Sequence, residues 1–96
     1  MPSEHKPLER REVRYRGRVQ GVGFRYTTQH VAAGFDVTGF VQNLPDGRVL
    51  VVVEGDSRQI DRFLGAIMAH LGHYVVDVET KVLPATGEFR AFGIRF

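Results

Sequence analysis

Apolar and polar residues alternate along five short stretches of the chain, as they do in half-buried β-strands. In the first stretch Val13, Tyr15 and Val19 point one way, and the charged residues between them point the other. The pattern predicts strands at residues 11–19, 37–44, 48–54, 74–83 and 89–96. Residues 1–10 carry two prolines and many polar groups, so we interpret them as a flexible tail before a single domain at 11–96.

Two further stretches have apolar residues at helical spacing. The first predicted helix follows the first strand and carries Phe24, Thr28, Val31, Ala32 and Phe35 on one face. The second begins at Asp56, where Gln59 three residues later suggests a capping-box-like pair, and it ends at Gly72. Its apolar stripe consists of Ile60, Phe63, Leu64, Ile67, Met68 and Leu71.

The order of these elements favours one fold class. A helix lies in each of two crossovers, and the Pro-Asp-Gly turn within residues 44–47 makes the middle two strands a hairpin. We therefore expect an α+β, ferredoxin-like split βαβ sandwich, with an antiparallel sheet of four to five strands and two helices on one face. The other face would be open to solvent and would carry Arg14, Arg16 and Arg18.

Composition and charge narrow the possible functions. The 96 residues include no cysteine, which excludes a disulfide scaffold, a cysteine nucleophile and a thiolate-bound metal. No apolar run approaches the roughly 18 residues of a membrane span, and residues 1–10 do not form a secretory signal, so we expect a cytoplasmic protein without membrane contact. The basic excess lies in residues 1–25, which favours an anionic partner, although the arginine-rich composition also fits a genomic bias.

The turn between the first strand and the first helix is a candidate anion site. Gly21 and Gly23 allow a tight turn that aims backbone N–H groups at one point, and the helix N-terminus adds partial positive charge. Arg25 lies in the first turn of the helix, where its guanidinium can reach the same point. The sequence has neither the third glycine of a dinucleotide fingerprint nor a P-loop lysine.

Asn43 is the second candidate, because it shares a strand face with Val37 and Val41. An amide on an apolar face must find hydrogen-bond partners or lose roughly 1–3 kcal/mol on burial. One interpretation is a functional side chain, and the other is an asparagine that caps the hairpin backbone. Position alone leaves both open.

Two strings of residues, 17–25 and 39–47, together resemble the two signatures of the acylphosphatase family. The similarity extends in order and spacing over roughly residues 12–72, and the strand pattern continues it to Phe96. The resemblance implies a small cytosolic hydrolase that cleaves acyl phosphates to a carboxylate and inorganic phosphate. It implies no cofactor and no metal.

The same resemblance assigns roles to individual residues. The catalytic arginine falls on Arg25 and the catalytic asparagine on Asn43. The implied substrate-binding residues are Gln20, Gly21, Val22, Gly23, Phe24 and Arg25, called here the 20–25 loop. We expect this loop to bind the phosphoryl group, inorganic phosphate or a similar anion, and Asn43 to orient the attacking water. An acyl phosphate releases a carboxylate, which leaves without protonation, so the reaction requires charge neutralisation and a placed water.

Two other functions are compatible with the same fold. A nucleic-acid-binding module would use the basic outer strand row with Phe40, but the sequence lacks the two or three aromatics typical of RNA-binding sheets. A regulatory module would bind an acyl phosphate without acting as a free hydrolase. We expect neither a nucleic acid partner nor an obligate dimer, and predict a monomer.

Overall fold

The alternating and helical apolar patterns fold into five strands and two helices in a computed structural model, which describes residues 8–96. In chain order the elements are β1 (Leu8–Gly17), α1 (Phe24–Ala32), β2 (Val37–Asn43), β3 (Val49–Asp56), α2 (Ser57–Leu71), a 3₁₀ turn (Gly72–Tyr74), β4 (Val75–Pro84) and β5 (Phe92–Arg95). Residues 8–10 belong to β1, although their composition assigns them to the tail, and residues 1–7 lie outside the described residues. No helix within 8–96 has the length and apolarity needed to cross a membrane.

The strands form one sheet in the order β4-β1-β3-β2-β5. The pairs β1–β3, β1–β4 and β2–β3 are antiparallel, as the split βαβ order predicts. The β2–β5 pair is parallel, so the sheet is mixed and the expectation of a wholly antiparallel sheet is corrected. The reason is the route of residues 85–91, here called the crossing loop, which leads from β4 at one edge of the sheet to β5 at the other.

The core lies between the two helices and the sheet face that they cover. Val13, Tyr15 and Val51 supply the sheet side, and the predicted α2 stripe supplies much of the helix side. Phe63 of α2 is fully buried, with its ring centre 5.2 Å from that of Phe92 on β5. Burying such side chains stabilises the fold by about 1.5–3 kcal/mol each.

Gly39 lets the backbone of β2 pass close to β3. Its φ of 138° lies in the region that glycine favours, and an added Cβ would overlap the carbonyl oxygen of Val52. The Gly39 N–H donates to the carbonyl oxygen of Ala91 at 3.0 Å, which fixes the start of β5 against β2. A side chain at this position would therefore disturb both neighbours of β2.

Two local predictions are wrong. Asp56 caps α2 through its side chain, which accepts from the Arg58 N–H at 2.8 Å, but Gln59 does not complete a capping box. Its Oε1 instead accepts from the Asp36 N–H at 2.9 Å and ties α2 to the start of β2. Phe40 is not an open aromatic on the outer face, because Phe89 of the crossing loop packs edge-on against it.

Glu54 anchors the crossing loop to the outer face of the sheet, although it is only 4% exposed. Burial alone would raise its pKa. The N–H groups of Thr86 and Gly87, the Thr86 hydroxyl and the Arg10 guanidinium all donate to its carboxylate at 2.8–3.0 Å, and together they lower the pKa to about 2. The ionised carboxylate therefore holds the loop in place.

Glu54→Gln is expected to lower the free energy of unfolding at pH 7 by about 3 kcal/mol. The folded pKa of Glu54 lies below its ordinary 4.5, so its contribution is fully present above about pH 4.5 and disappears as the pH falls towards 2. Urea unfolding between pH 2 and 7 measures both effects. Glu88→Gln is the matched control, because Glu88 pairs with Arg10 at an exposed position and should contribute less than about 1 kcal/mol. Equal urea midpoints for the two variants would contradict the anchoring role.

Candidate active site

The 20–25 loop leaves β1 where the pairing of β1 with β4 shifts register, between Arg16 and Gly17. The Arg18 N–H donates to the carbonyl oxygen of Tyr74 at 2.9 Å, which fixes the entrance of the loop. Gly21 and Gly23 have φ values of 80° and 77°, and an added Cβ would meet nothing within 4 Å at either. Both glycines are therefore needed for backbone conformation rather than for space.

The start of α1 supplies free backbone donors. Gly23 is its N-cap and provides no side-chain cap, and the first intrahelical bond of this turn runs from Thr27 N–H to the Gly23 carbonyl oxygen at 2.9 Å. The amides that precede Thr27 in the helix have no acceptor within it. Together with the positive end of the helix dipole they form a site that favours an anion.

Gln20 fastens the loop to the β2–β3 hairpin. Its Nε2 donates to the carbonyl oxygens of Leu44 at 2.8 Å and Arg48 at 2.9 Å. These bonds fix the distance between the loop and the end of β2, where Asn43 lies. The family resemblance placed Gln20 among the substrate-binding residues of this loop, and nothing in the periodicity pointed to a tether through its side chain.

Arg25 and Asn43 lie together in a cleft of about 270 Å³. The cleft is lined by Val19, Gly21, Gly23, Phe24, Arg25, Tyr26 and Asn43. Two predicted substrate-binding residues, Gln20 and Val22, do not line it; Val22 packs against the core instead. The fold thus brings most of the predicted site residues to one place, and it adds Tyr26.

A second surface depression near β1 has about 360 Å³ and includes Arg16 and Arg48. Arg48 is paired with Asp46 at 2.9 Å and with Glu79 at 3.3 Å, and Arg16 lies 4.0 Å from Asp77. Since carboxylates already compensate these guanidinium groups, the depression has little charge left for an anion. The cleft beside Arg25 is the better anion site.

Arg25 retains its charge for a ligand. Within residues 8–96 no carboxylate lies within ion-pair distance of its guanidinium, whose central carbon lies 4.7 Å from the centre of the Phe96 ring. The ring supports the cation without neutralising it. A phosphoryl group in the cleft could therefore accept two parallel hydrogen bonds from the guanidinium.

The Oδ1 atom of Asn43 is buried and accepts no hydrogen bond from any described residue. The hairpin backbone does not use the Asn43 side chain. Two main-chain hydrogen bonds close the hairpin: Leu44 N–H donates to the carbonyl oxygen of Arg48 at 2.8 Å, and Gly47 N–H donates to the carbonyl oxygen of Leu44 at 3.1 Å. The capping interpretation of Asn43 therefore has no hydrogen bond to support it in the described part of the chain. A buried acceptor beside an anion site is suited to a small ligand such as water.

Comparison with known proteins decides the family. The acylphosphatase family model matches residues 11–94. The chain belongs to the acylphosphatase family. This confirms the resemblance of the two signature strings, and it makes the chain an enzyme that hydrolyses acyl phosphates.

The chain is similar in sequence and structure to individual acylphosphatases. The chain is 40% identical over 84 residues to the acylphosphatase of Lactobacillus johnsonii, covering 85% of this chain and 92% of that one. It is 42% identical over 83 residues to the acylphosphatase of Acaryochloris marina, covering 81% and 84% respectively. The crystal structure of acylphosphatase from Bacillus subtilis matches with a TM-score of 0.79 and 31% identity, over 93% of this chain and 99% of that one. The ferredoxin-like α+β fold class is thereby confirmed.

For an acylphosphatase with this loop geometry, Gln20→Ala is expected to raise KM for benzoyl phosphate by up to about thirtyfold, because two hydrogen bonds of about 1 kcal/mol each are lost. The loop would no longer be held at a fixed distance from Asn43. Steady-state kinetics and competitive inhibition by inorganic phosphate measure the effect. Gln29→Ala, at an exposed position of α1, is the matched control. An unchanged KM and inhibition constant in Gln20→Ala would rule out the tether.

Proposed function

We propose that the chain hydrolyses acyl phosphates in the cleft between the 20–25 loop and Asn43. The phosphoryl oxygens would accept hydrogen bonds from the amides at the start of α1 and from the Arg25 guanidinium. Support comes from the left-handed glycines, from the helix N-terminus without a side-chain cap, and from the charge of Arg25, which no carboxylate within residues 8–96 pairs. Such a clamp neutralises the charge that spreads over the phosphoryl oxygens in the transition state.

The observation that carries the mechanism is the buried Oδ1 of Asn43, which accepts no hydrogen bond from residues 8–96. A water donating one hydrogen to this oxygen would direct a lone pair at the phosphorus. Its oxygen forms the new bond to phosphorus as the bond to the acyl oxygen breaks, and the carboxylate leaves as an anion. An amide is too weak a base to take a proton from this water, so one proton stays on the attacking oxygen as a P–OH group and we assign the other to a phosphoryl oxygen of the substrate.

The two alternative functions have less support. The outer face offers no open aromatic for base stacking, because Phe40 lies under Phe89 and under the guanidinium of Arg95, 3.8 Å from its ring centre. A regulatory role without hydrolysis is not favoured by the acylphosphatases that match along most of the chain. The cytoplasmic location and the monomeric state stay predictions from the sequence.

Steady-state hydrolysis of benzoyl phosphate, followed by ultraviolet absorbance in the presence of EDTA, tests the proposal. We expect chelator-resistant turnover that inorganic phosphate inhibits competitively. A folded protein without turnover would overturn the hydrolase proposal. Salt-sensitive retention on a heparin or RNA column would then favour the nucleic acid alternative.

A further inference from the structure

Among residues 8–96, two tyrosine or phenylalanine side chains are exposed, and both lie beside Arg25. Tyr26 is 61% exposed and lines the cleft, while Phe96 is 85% exposed and contacts the Arg25 guanidinium through its ring. Every other tyrosine and phenylalanine is buried or half-buried. A single exposed apolar side chain is common, but two exposed aromatic rings beside one cleft form an apolar patch, and such a patch points to a ligand.

The sheet register explains why Phe96 reaches the site. Gln42 of β2 pairs with Arg95 of β5 in the parallel ladder, so the residues that follow them, Asn43 and Phe96, emerge side by side at the same end of the sheet. Phe92 and Ile94, which alternate with Arg95, pack against the core beneath the helices. Phe96 continues that row and therefore reaches the N-terminal end of α1.

The direction of the reaction places the acyl group at these rings. In phosphoryl transfer the attacking and leaving oxygens lie roughly in line, on opposite sides of phosphorus. The water on Asn43 Oδ1 would attack from the buried side of the cleft, because that atom is buried. The leaving carboxylate must then point towards the open side, where Tyr26 and Phe96 are exposed.

We propose that Tyr26 and Phe96 form an acyl-group subsite that selects acyl phosphates with an aromatic acyl group. The inference rests on the proposed hydrolase function and extends it to the choice of substrate. Tyr26 is a wall of the subsite, and Phe96 has two effects: it contacts the acyl group and holds Arg25. Aromatic pairs contribute beyond simple area burial, so an aryl acyl group gains where a methyl group does not.

The test compares kcat/KM for benzoyl phosphate and acetyl phosphate. We expect the wild type to prefer benzoyl phosphate, and Tyr26→Ala to reduce the ratio of the two kcat/KM values about five- to tenfold. Tyr26→Phe, which keeps the ring, should restore the ratio. Phe96→Ala should slow both substrates, since it also releases Arg25, and should slow benzoyl phosphate more. Val76→Ala, at an exposed apolar position on β4, should change neither value.

The outcomes separate the subsite from the enzyme itself. If acetyl phosphate is hydrolysed and the ratio is the same in Tyr26→Ala and Phe96→Ala as in the wild type, the aromatic subsite is wrong and the hydrolase proposal stands. If the ratio falls equally in Tyr26→Phe and Tyr26→Ala, the hydroxyl rather than the ring determines the preference, which also overturns the proposal. If the folded wild type hydrolyses neither substrate, both proposals fail.

Discussion

Arg25→Ala is expected to lower kcat for benzoyl phosphate by about 10³-fold or more, as the loss of a phosphoryl-binding arginine does in other phosphoryl-transfer sites. Arg25 lines the cleft, and within residues 8–96 its guanidinium has no carboxylate partner. Its removal would leave only neutral backbone amides to meet the negative phosphoryl oxygens. The measurement is steady-state turnover, with competitive inhibition by phosphate as a second readout of anion binding.

Two further variants separate charge, geometry and folding. Arg25→Lys keeps the charge but loses the two-pronged geometry and the flat contact with Phe96, so it should recover only a small part of the rate. Arg62→Ala, at an exposed position of α2, should retain full activity. Circular dichroism checks that each variant folds. If Arg25→Ala kept more than a tenth of the wild-type kcat, Arg25 would not be the phosphoryl clamp.

Asn43→Ala is expected to lower kcat by about 10²- to 10³-fold, the effect of removing one placed hydrogen-bonding group from an active site. KM should change little, because the proposed mechanism assigns phosphoryl binding to the loop and Arg25 rather than to Asn43. The free energy of unfolding should stay equal or rise, since the substitution removes a buried acceptor that no described residue satisfies. Kinetics and urea unfolding on the same preparations measure both effects.

The neighbouring amide provides the control for this experiment. Gln42 lies on the same strand but points to the opposite face, and Gln42→Ala should leave kcat unchanged. A parallel loss of activity and stability in Asn43→Ala would show that the side chain supports the strand rather than the water. Loss of activity at unchanged stability is the result that the proposed mechanism requires.

Helices and strands could be predicted from the sequence wherever burial of one face gives the apolar residues a regular spacing. The α2 stripe is continuous, and its predicted positions lie in the core or pack against it, except for Met68, which is 40% exposed. The direction of β5 could not be predicted, because a four-residue strand alternates in the same way whether it is parallel or antiparallel. Direction depends on the crossing loop, whose path is fixed by Glu54 and its partners far away in sequence.

The site was predictable only where its residue types have few other uses. Glycines before a helix, with an arginine in its first turn, predict an anion site. The structure brings Arg25 to the cleft with Asn43. Tyr26 and Phe96 had no such signal, because an aromatic residue at a helix start or strand end fits a core as well as a surface. The tether through Gln20 was missed for a similar reason: its acceptors are backbone carbonyls on a hairpin far along the chain.

The position of β4 at the edge of the sheet gives the molecule a gradient of local stability. Val76 is 71% and Val82 61% exposed, so opening this strand gives up little apolar burial, whereas opening β3 would expose the centre of the core. Local unfolding should therefore begin at β4, and its amide protons should exchange with solvent sooner than those of β3. The Arg18 N–H bond to Tyr74 joins this weak edge to the entrance of the 20–25 loop. Tyr74 directly precedes β4, so we expect fluctuations of β4, which contributes no residue to the cleft, to reach the loop that is proposed to bind the phosphoryl group.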